Sequence, residues 1–227
     1  MAKVSIKAME MSSLYIRLSN GNKKLKSNDQ VSFLIWNLPA KITCPFATKE
    51  CLRFCYAGKA ETAYPTCLPS RMSHFEMSKQ ENFVSRMIYT IETELTRPSN
   101  KEKKIVFRIH ESGDFYNKAY VEKWLNIMRY FENNKKIVFV AYTKSVKFFE
   151  GVELPKNFRL LASVWNDTKP ENMEIIKRNN YRIYTAFNKD DMKQARKDGY
   201  SACRCEDCAP CRKCWYNGVR YLACEIH

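Results

Sequence analysis

Residues 104–142 read KIVFRIHESGDFYNKAYVEKWLNIMRYFENNKKIVFVAY. The stretch begins with an apolar run of strand length at 104–110 and ends with a second at 137–142. Between these runs, the apolar side chains of residues 117–131 recur at spacings of three and four, which is typical of a helix with one buried face. Near-continuous apolar strands joined by a helix indicate parallel pairing through a right-handed crossover. The stretch therefore predicts a βαβ unit.

The same alternation continues on both sides of this unit. A strand is predicted at 31–38, where Pro39 ends it, and a long helical pattern covers 69–95. Later strands are predicted at 158–164 and 181–187. Repeated units of this kind predict an α/β fold, a partial (β/α) barrel of mostly parallel strands, with a doubly wound open sheet as the alternative.

Shorter elements complete this prediction. Thr168 and Glu171 fit a capping box for a helix that runs to about Arg178. Asn188 is placed to cap a last helix that ends near Gly199. Short edge strands are predicted in the N-terminal segment at Val4, Ile6, Leu14, Ile16 and Leu18, and a short helix at 146–149.

Two regions are expected in the domain organisation. Residues 1–202 form the partial barrel domain, which includes a cysteine loop after the first strand. Residues 203–227 form a cysteine-rich closing segment packed on the same domain.

Composition limits the functional classes. No apolar run is long enough to span a bilayer, and the N-terminus has no apolar signal core, so we expect an intracellular protein with no membrane partner. Ten cysteines in a reducing compartment favour metal binding or redox chemistry over a disulfide scaffold. The net charge of +15 favours nucleic acid, an acidic protein or an anionic cofactor as a partner.

The loop after the first strand carries Cys44, Cys51 and Cys55 in the pattern C-x6-C-x3-C. Three thiols in one loop can hold a [4Fe–4S] cluster and leave one iron open for an exogenous ligand. The arrangement is similar to that of radical S-adenosylmethionine enzymes, although their usual C-x3-C-x2-C spacing is absent. S-adenosylmethionine is thus a candidate cofactor, unless Cys67, Cys203 or the closing segment supplies a fourth ligand.

The closing segment carries a second cysteine motif, C-x2-C-x2-C-x2-C. The spacing of its first three cysteines matches the tight run with which bacterial ferredoxins bind a [4Fe–4S] cluster, so one or two clusters are expected in the chain. A structural zinc site is the alternative, and a dithiol redox pair at Cys208 and Cys211 is a third. Cys224 is expected to be structural or idle. The predicted metal ligands in this motif are Cys205, Cys208, Cys211 and Cys214.

Polar residues follow the predicted strands at their carboxyl ends, where (β/α) folds build their sites. His110, Glu111 and Asp114 are the candidate catalytic residues. Ser112 and Gly113 in the same loop are candidate cofactor-binding residues, because a glycine lets the backbone approach a ligand closely. The loop after the next strand adds Tyr142 and Lys144 to the cofactor-binding candidates.

Five segments together resemble a known phage family, the gene product eighty-eight family. They are Gly21 to Leu25, Cys44 to Ala57, Arg108 to Phe115, Ala141 to Lys144, and Cys208 to Trp215. The resemblance implies a phage or prophage protein in the cytoplasm of an infected bacterium, with the cysteines and the His-Glu-Ser-Gly-Asp loop as its signature. It implies no reaction.

Two classes of function follow from these patterns. One is a cluster-dependent enzyme similar to radical S-adenosylmethionine proteins. The other is a cluster-stabilised binding module for nucleic acid or a host protein, in which Tyr56, Tyr142 and Trp165 would stack on bases. An open iron favours the enzyme, whereas a fully ligated cluster beside a continuous basic face favours the binding module.

Overall fold

The computed structural model of the chain describes residues 14–22, 24–203, 207–216 and 218–226. Seven strands form one sheet in the order β1-β2-β3-β4-β5-β7-β6. Every pairing between them is parallel. The strands are β1 (Val31–Trp36), β2 (Lys104–Ile109), β3 (Ile137–Thr143), β4 (Phe158–Val164), β5 (Arg182–Phe187), β6 (Ser201–Ala202) and β7 (Tyr221–Glu225).

Strand order distinguishes the two predicted architectures. A doubly wound sheet places its first strand in the interior and reverses direction at a switch point. Here β1 lies at one edge and β2 to β5 follow it in chain order. The sheet is therefore a half-barrel of parallel strands, which confirms the predicted partial barrel.

Helices cover the outer face of the sheet. Its core contains large buried side chains from both layers, among them Trp36, Phe107 and Trp124. The helices are α1 (Lys49–Arg53), α2 (Tyr56–Ala63), α3 (Cys67–Lys79), α4 (Phe83–Thr96), α5 (Lys118–Tyr130), α6 (Pro170–Arg178), α7 (Met192–Lys197) and α8 (Cys208–Cys211), with 3-10 turns at Pro98–Asn100 and Val146–Phe149. None of the helices within the described ranges is long and apolar enough to cross a membrane.

The inner face is partly covered by the closing segment. Ala209 and Trp215 pack on Val106, Val140 and Leu161 in a second apolar cluster. Strand β7 of the same segment pairs with β5 and extends the sheet, and β6, which directly precedes the segment, pairs with β7. The closing segment is therefore part of the half-barrel. It covers the part of the concave face that contains Val106, Val140 and Leu161.

The predicted long helix at 69–95 is wrong, because the structure divides it into α3 and α4. The chain turns at Gln80, whose backbone is extended (φ −62°, ψ 149°). The Lys123 ammonium donates to the carbonyls of Ser78, Lys79 and Gln80 at 2.8–3.1 Å. A cation that binds the last carbonyls stabilises the end of a helix, so a residue from α5 fixes this break.

Three local predictions also differ from the structure. Thr168 does not cap α6, because its hydroxyl accepts a hydrogen bond from Trp165 N and Lys169 occupies the cap position. Helix α7 is capped by Asp191 and not by Asn188. In the N-terminal segment, the expected edge strands reduce to a single antiparallel bridge between Ser19 and Ile35. Val4 and Ile6 lie outside the described residues.

Candidate metal centre

The cysteine loop folds into two short helices that sequence patterns did not predict. The Thr48 hydroxyl caps α1 by accepting a hydrogen bond from Cys51 N at 3.2 Å. Cys55 caps α2 with its own sulfur, which accepts from Gly58 N at 3.3 Å. A Cβ built on Gly58 would lie 3.6 Å from Cys55 Sγ and 3.3 Å from Lys41 Cε. A backbone amide and a lysine side chain therefore lie beside the Cys55 sulfur.

One side of the loop is held by the segment after β2. The Asn37 side-chain oxygen accepts from the backbone amides of Glu111 and Ser112 at 2.8 and 3.0 Å. The Ser112 hydroxyl donates to Leu38 O at 2.9 Å. Gly113 adopts φ +81°, and a Cβ there would lie 2.6 Å from Leu38 Cβ. The predicted cofactor-binding residues Ser112 and Gly113 thus lock the His-Glu-Ser-Gly-Asp loop against the segment leading into Cys44.

The other side of the loop is held by the segment after β4. Asp167 Oδ2 accepts from Glu50 N at 2.9 Å, at the start of α1. Partial burial raises the pKa of Asp167, but the hydrogen bonds from Glu50 N and Thr48 outweigh it and leave that pKa below its usual value. Phe54 stacks on Trp165 with ring centroids 5.9 Å apart and an interplanar angle of 4°. The cysteine loop therefore extends over the carboxyl ends of the strands from β1 to β4.

The buried thiol of Cys44 is affected by the charges around it. Burial raises the pKa of Cys44 to about 12, and the charges of Asp114, Cys51 and Cys55 add to the shift. The Lys41 backbone hydrogen bond opposes them. A neutral, buried thiol is a poor ligand and nucleophile, whereas a bound metal deprotonates it. The Cys44 thiol is therefore neutral near pH 7 unless a cation binds it.

Asp114 is buried beneath the loop, with its carboxylate fully engaged. Its oxygens accept from Thr143 Oγ1 at 2.5 Å, from Lys144 N at 2.9 Å and from Phe115 N at 2.7 Å. Burial raises the pKa of Asp114, although these hydrogen bonds oppose the shift. The candidate acid therefore joins the end of β2 to the end of β3.

Candidate residue His110 faces away from the thiols. Its backbone adopts φ +66°, which turns the ring into the helix-covered core. His110 Nε2 lies 2.9 Å from the Tyr120 hydroxyl, and the ring packs edge-on against Phe115 at 4.7 Å. Burial, and after it the charge of Arg108, lowers the pKa of His110 to about 3. This neutral imidazole is placed as a core residue.

Glu111 lies on the thiol side of the same loop. Its side chain accepts a hydrogen bond from the Asn22 amide, and its backbone carbonyl accepts one from the Tyr56 hydroxyl. Glu111 thereby connects the turn at residues 21–25 to the first residue of α2.

The closing cysteines lie at the inner face and form a second thiol group. Burial raises the pKa of Cys208 to about 12, and the charges of Cys214, Cys203 and Cys211 contribute to the shift. The inward-facing hydroxyls of β3 and β5 lie beside thiols: Tyr184 donates to Cys224 at 2.7 Å, and Tyr142 opposes the rise that burial causes in the pKa of Cys214. Predicted ligand Cys205 lies outside the described residues.

Four positioning residues escaped sequence analysis: Asn37, Asp167, Arg108 and Arg182. The Arg182 guanidinium donates to the carbonyls of Cys214 and Lys213 at 2.8 and 2.7 Å and holds the closing segment on the sheet. Charged residues inside apolar strands were the available signal for Arg108 and Arg182, since a buried arginine needs acceptors. Nothing local indicates which loop Asn37 or Asp167 binds.

Across the described residues, no three histidine, cysteine or acidic side chains are grouped closely enough to hold one metal ion.

Comparisons with known proteins identify the family. The sequence profile of the Gene product 88 family matches residues 16–217. The chain belongs to the Gene product 88 family. Relatives include the Gene 88 proteins of Mycobacterium phage L5, 30% identical over 105 residues, and of Mycobacterium phage D29, 26% identical over 138 residues.

These matches cover only part of each protein. The D29 alignment covers 60% of this chain and 55% of the relative, and the L5 alignment covers 45% and 43%. The chain thus spans about half the length, or less, of the Gene 88 proteins it matches. No solved structure matches the chain significantly.

Proposed function

We propose that this Gene product 88 family member is an iron–sulfur protein whose [4Fe–4S] cluster is bound by Cys44, Cys51 and Cys55. The proposal is based on the position of the three-thiol loop. Contacts with the segments after β2 and β4 hold the loop, one on each side, over the carboxyl ends of the strands. That edge is where (β/α) folds place their chemistry.

Three cysteine thiols in one loop are the type of donor set that such a cluster takes. The thiolate ligands of a [4Fe–4S] cluster bind separate irons. The thiols therefore surround a shared space and do not converge on a single metal ion. Three protein thiolates leave one iron for an exogenous ligand. When bound, the cluster would supply one-electron chemistry together with that open coordination position. The Gly58 amide would then hydrogen-bond a ligating sulfur, which is one way in which proteins adjust cluster potentials.

The chain's own residues would position the cluster and shield it. Gly113 and Asp167 hold the loop, and Asp114 braces β2 against β3 through Thr143. Phe46 packs edge-on against Phe148 at 5.1 Å on the outer side of the loop, where it would limit access of water. His110 contributes packing and has no part in the proposed chemistry.

The closing cysteines are proposed as a second thiolate centre, a cluster or a structural zinc. The N-terminal part of the chain helps to position Cys208, because the Cys208 amide donates to Lys24 O at 2.8 Å. Tyr142 would donate to a ligating Cys214. Cys205 is part of this proposed ligand set. Metal analysis of the purified protein distinguishes a cluster from a structural zinc at this centre.

A second candidate function is a cluster-stabilised binding module for nucleic acid or a host protein. The +15 net charge favours it, because cationic surfaces attract polyanions. The enzyme is preferred here because the loop offers three thiols and so leaves an iron open. In that reading the protein acts in the cytoplasm of the infected bacterium, with S-adenosylmethionine as the candidate ligand of the open iron.

The test is anaerobic reconstitution with iron and sulfide of the full chain and of three variants, Cys44→Ser, Cys51→Ser and Cys55→Ser. Each loop variant is expected to lose the broad visible absorption and the reduced-state electron paramagnetic resonance signal of a cluster. Cys67→Ser is the comparison variant, because Cys67 begins α3, outside the loop, and is not among the thiols whose charges act on Cys44. Loop variants that retain all their iron and sulfide would contradict the proposed ligands.

Addition of S-adenosylmethionine to the reduced protein then separates the two functions. A changed resonance spectrum and cleavage of the cofactor support the open-iron enzyme. An unchanged spectrum, together with cluster loss in Cys67→Ser, indicates a fourth protein ligand and favours the binding module.

A further inference from the structure

Arg108 is a half-buried cation on the inner face of the half-barrel. Side chains alternate along β2, so Arg108 points to the same side as Val106, which belongs to the inner cluster. It belongs to what we call the upper inner face, which consists of the inward-facing residues nearest the carboxyl ends of the strands. These residues are Arg108, Tyr142, Ser163 and Tyr184. All four are partly accessible, whereas Val106, Val140 and Leu161 below them are buried.

The guanidinium has few partners in the protein. Its Nε donates to His110 O at 3.4 Å, and its Cζ lies 4.8 Å from the centre of the Tyr142 ring. No carboxylate forms an ion pair with it in the part of the chain that the structure describes. Glu111, whose charge acts on Arg108, accepts a hydrogen bond from Asn22 instead. The two terminal nitrogens of Arg108 thus have no hydrogen-bond acceptor among the described residues.

The neighbouring hydroxyls do not neutralise this charge. Tyr184 donates to Cys224, and Tyr56 donates to the Glu111 carbonyl. The Tyr142 ring packs on the guanidinium, and no hydroxyl among the described residues accepts a hydrogen bond from its terminal nitrogens. An arginine desolvated in this way is costly unless an anion pairs with it.

A second cation lies near the same edge. Lys144 Nζ donates to Ser163 Oγ at 2.8 Å and lies 5.9 Å from the Trp165 ring centre. It too has no ion pair within the described ranges. Its ammonium has three donors, so it retains donors for a ligand at the upper inner face.

We propose that the upper inner face binds the carboxylate or phosphate group of a small molecule and that Arg108 anchors this group. The planar guanidinium presents its terminal nitrogens as a fork that matches either anion. Lys144 adds a second positive charge at the rim. The ligand would be the substrate of the cluster-dependent enzyme, so its role, though not its binding, rests on the proposed function.

The test uses inorganic phosphate and acetate as probes, titrated calorimetrically into the full chain at low ionic strength. The variants are Arg108→Gln, which removes the charge, and Arg108→Lys, which keeps it without the fork. Arg129→Gln is the matched control, because Arg129 is exposed on α5 and shares the general basic background. Circular dichroism verifies folding, and iron and zinc are measured for every sample.

We expect saturable binding of at least one probe, weakened at least about tenfold by Arg108→Gln. Arg108→Lys is expected to be intermediate, and Arg129→Gln to match the unaltered protein. If Arg108→Gln does not fold, Arg108→Lys and Lys144→Met carry the comparison. Preference between the probes distinguishes a phosphate from a carboxylate ligand.

Two outcomes overturn the proposal. One is binding that is absent, or equally strong in Arg108→Gln and the unaltered protein. The other is loss of metal from Arg108→Gln with anion binding unchanged, which would make Arg108 the counter-charge of the closing thiolates. Anion binding by a protein that binds no iron would leave this site standing and contradict only the proposed cluster.

Discussion

A Cβ atom built on Gly113 would lie 2.5 Å from Thr43 Oγ1, so the loop after β2 packs directly on the residue preceding Cys44. Gly113 also adopts φ +81°, a conformation that other residues avoid. The glycine of the His-Glu-Ser-Gly-Asp signature is therefore explained by the docking of two loops.

The first prediction concerns Gly113→Ala. Left-handed strain of about 1–2 kcal/mol adds to overpacking of about 1–3 kcal/mol, and both lower the free energy of unfolding. Gly151→Ala is the matched control, since Gly151 has φ +73° with nothing within 4 Å of its Cβ position. Urea denaturation should show a clearly larger loss for Gly113→Ala. Equal losses would mean that the contact with Thr43 is not made.

The second prediction concerns Asp167→Ala. The variant loses the hydrogen bond to Glu50 N, so the free energy of unfolding should fall by about 1 kcal/mol. Hydrogen exchange at the Glu50 amide should also accelerate. Asp191→Ala serves as the control, because Asp191 caps α7 without a side-chain hydrogen bond.

The pH dependence of this effect has a defined sign. The pKa of Asp167 is lowered in the folded chain, so its contribution is present above the ordinary aspartate pKa. The contribution disappears as the pH falls through the lowered value. The difference between Asp167→Ala and the unaltered protein should therefore vanish in strong acid, and a difference that persists there would contradict the assignment.

The third prediction concerns His110. Its pKa is lowered to about 3 in the folded chain, whereas the unfolded chain takes up the proton near pH 6.5. Acidification therefore favours unfolding, by about 1.4 kcal/mol per pH unit between these two values. His110→Asn keeps a residue that tolerates positive φ and should remove this slope.

The measurement is the free energy of unfolding of both proteins at several pH values between 4 and 7. His74→Asn is a useful comparison, because burial also lowers the pKa of His74. Parallel curves for His110→Asn and the unaltered protein would show that the imidazole is not held neutral in the core.

Strands β1 to β5 were predictable because each is a mostly apolar run of strand length. β4 occupies residues 158–164, as its continuous apolar run indicates. The break at Gln80 was not predictable, because it depends on Lys123 from another helix. Strands β6 and β7 escaped prediction because β6 has only two residues and β7 is a short strand that ends in Cys224 and Glu225.

The site was predicted in part. The spacing of Cys44, Cys51 and Cys55 indicated a thiol loop at the carboxyl edge, and the loop lies there. Sequence alone did not show that His110 turns away, since its positive φ arises from the turn that brings Gly113 against Leu38. Long-range contacts of this kind decide which residues of a signature face the ligand.

The most direct test of the central claim is the metal and sulfide content of the full chain, purified anaerobically. We expect the purified chain to contain iron and acid-labile sulfide in equal amounts, about four of each per cluster. Both should fall in Cys44→Ser, Cys51→Ser and Cys55→Ser. A colourless protein with stoichiometric zinc and no sulfide would contradict the account.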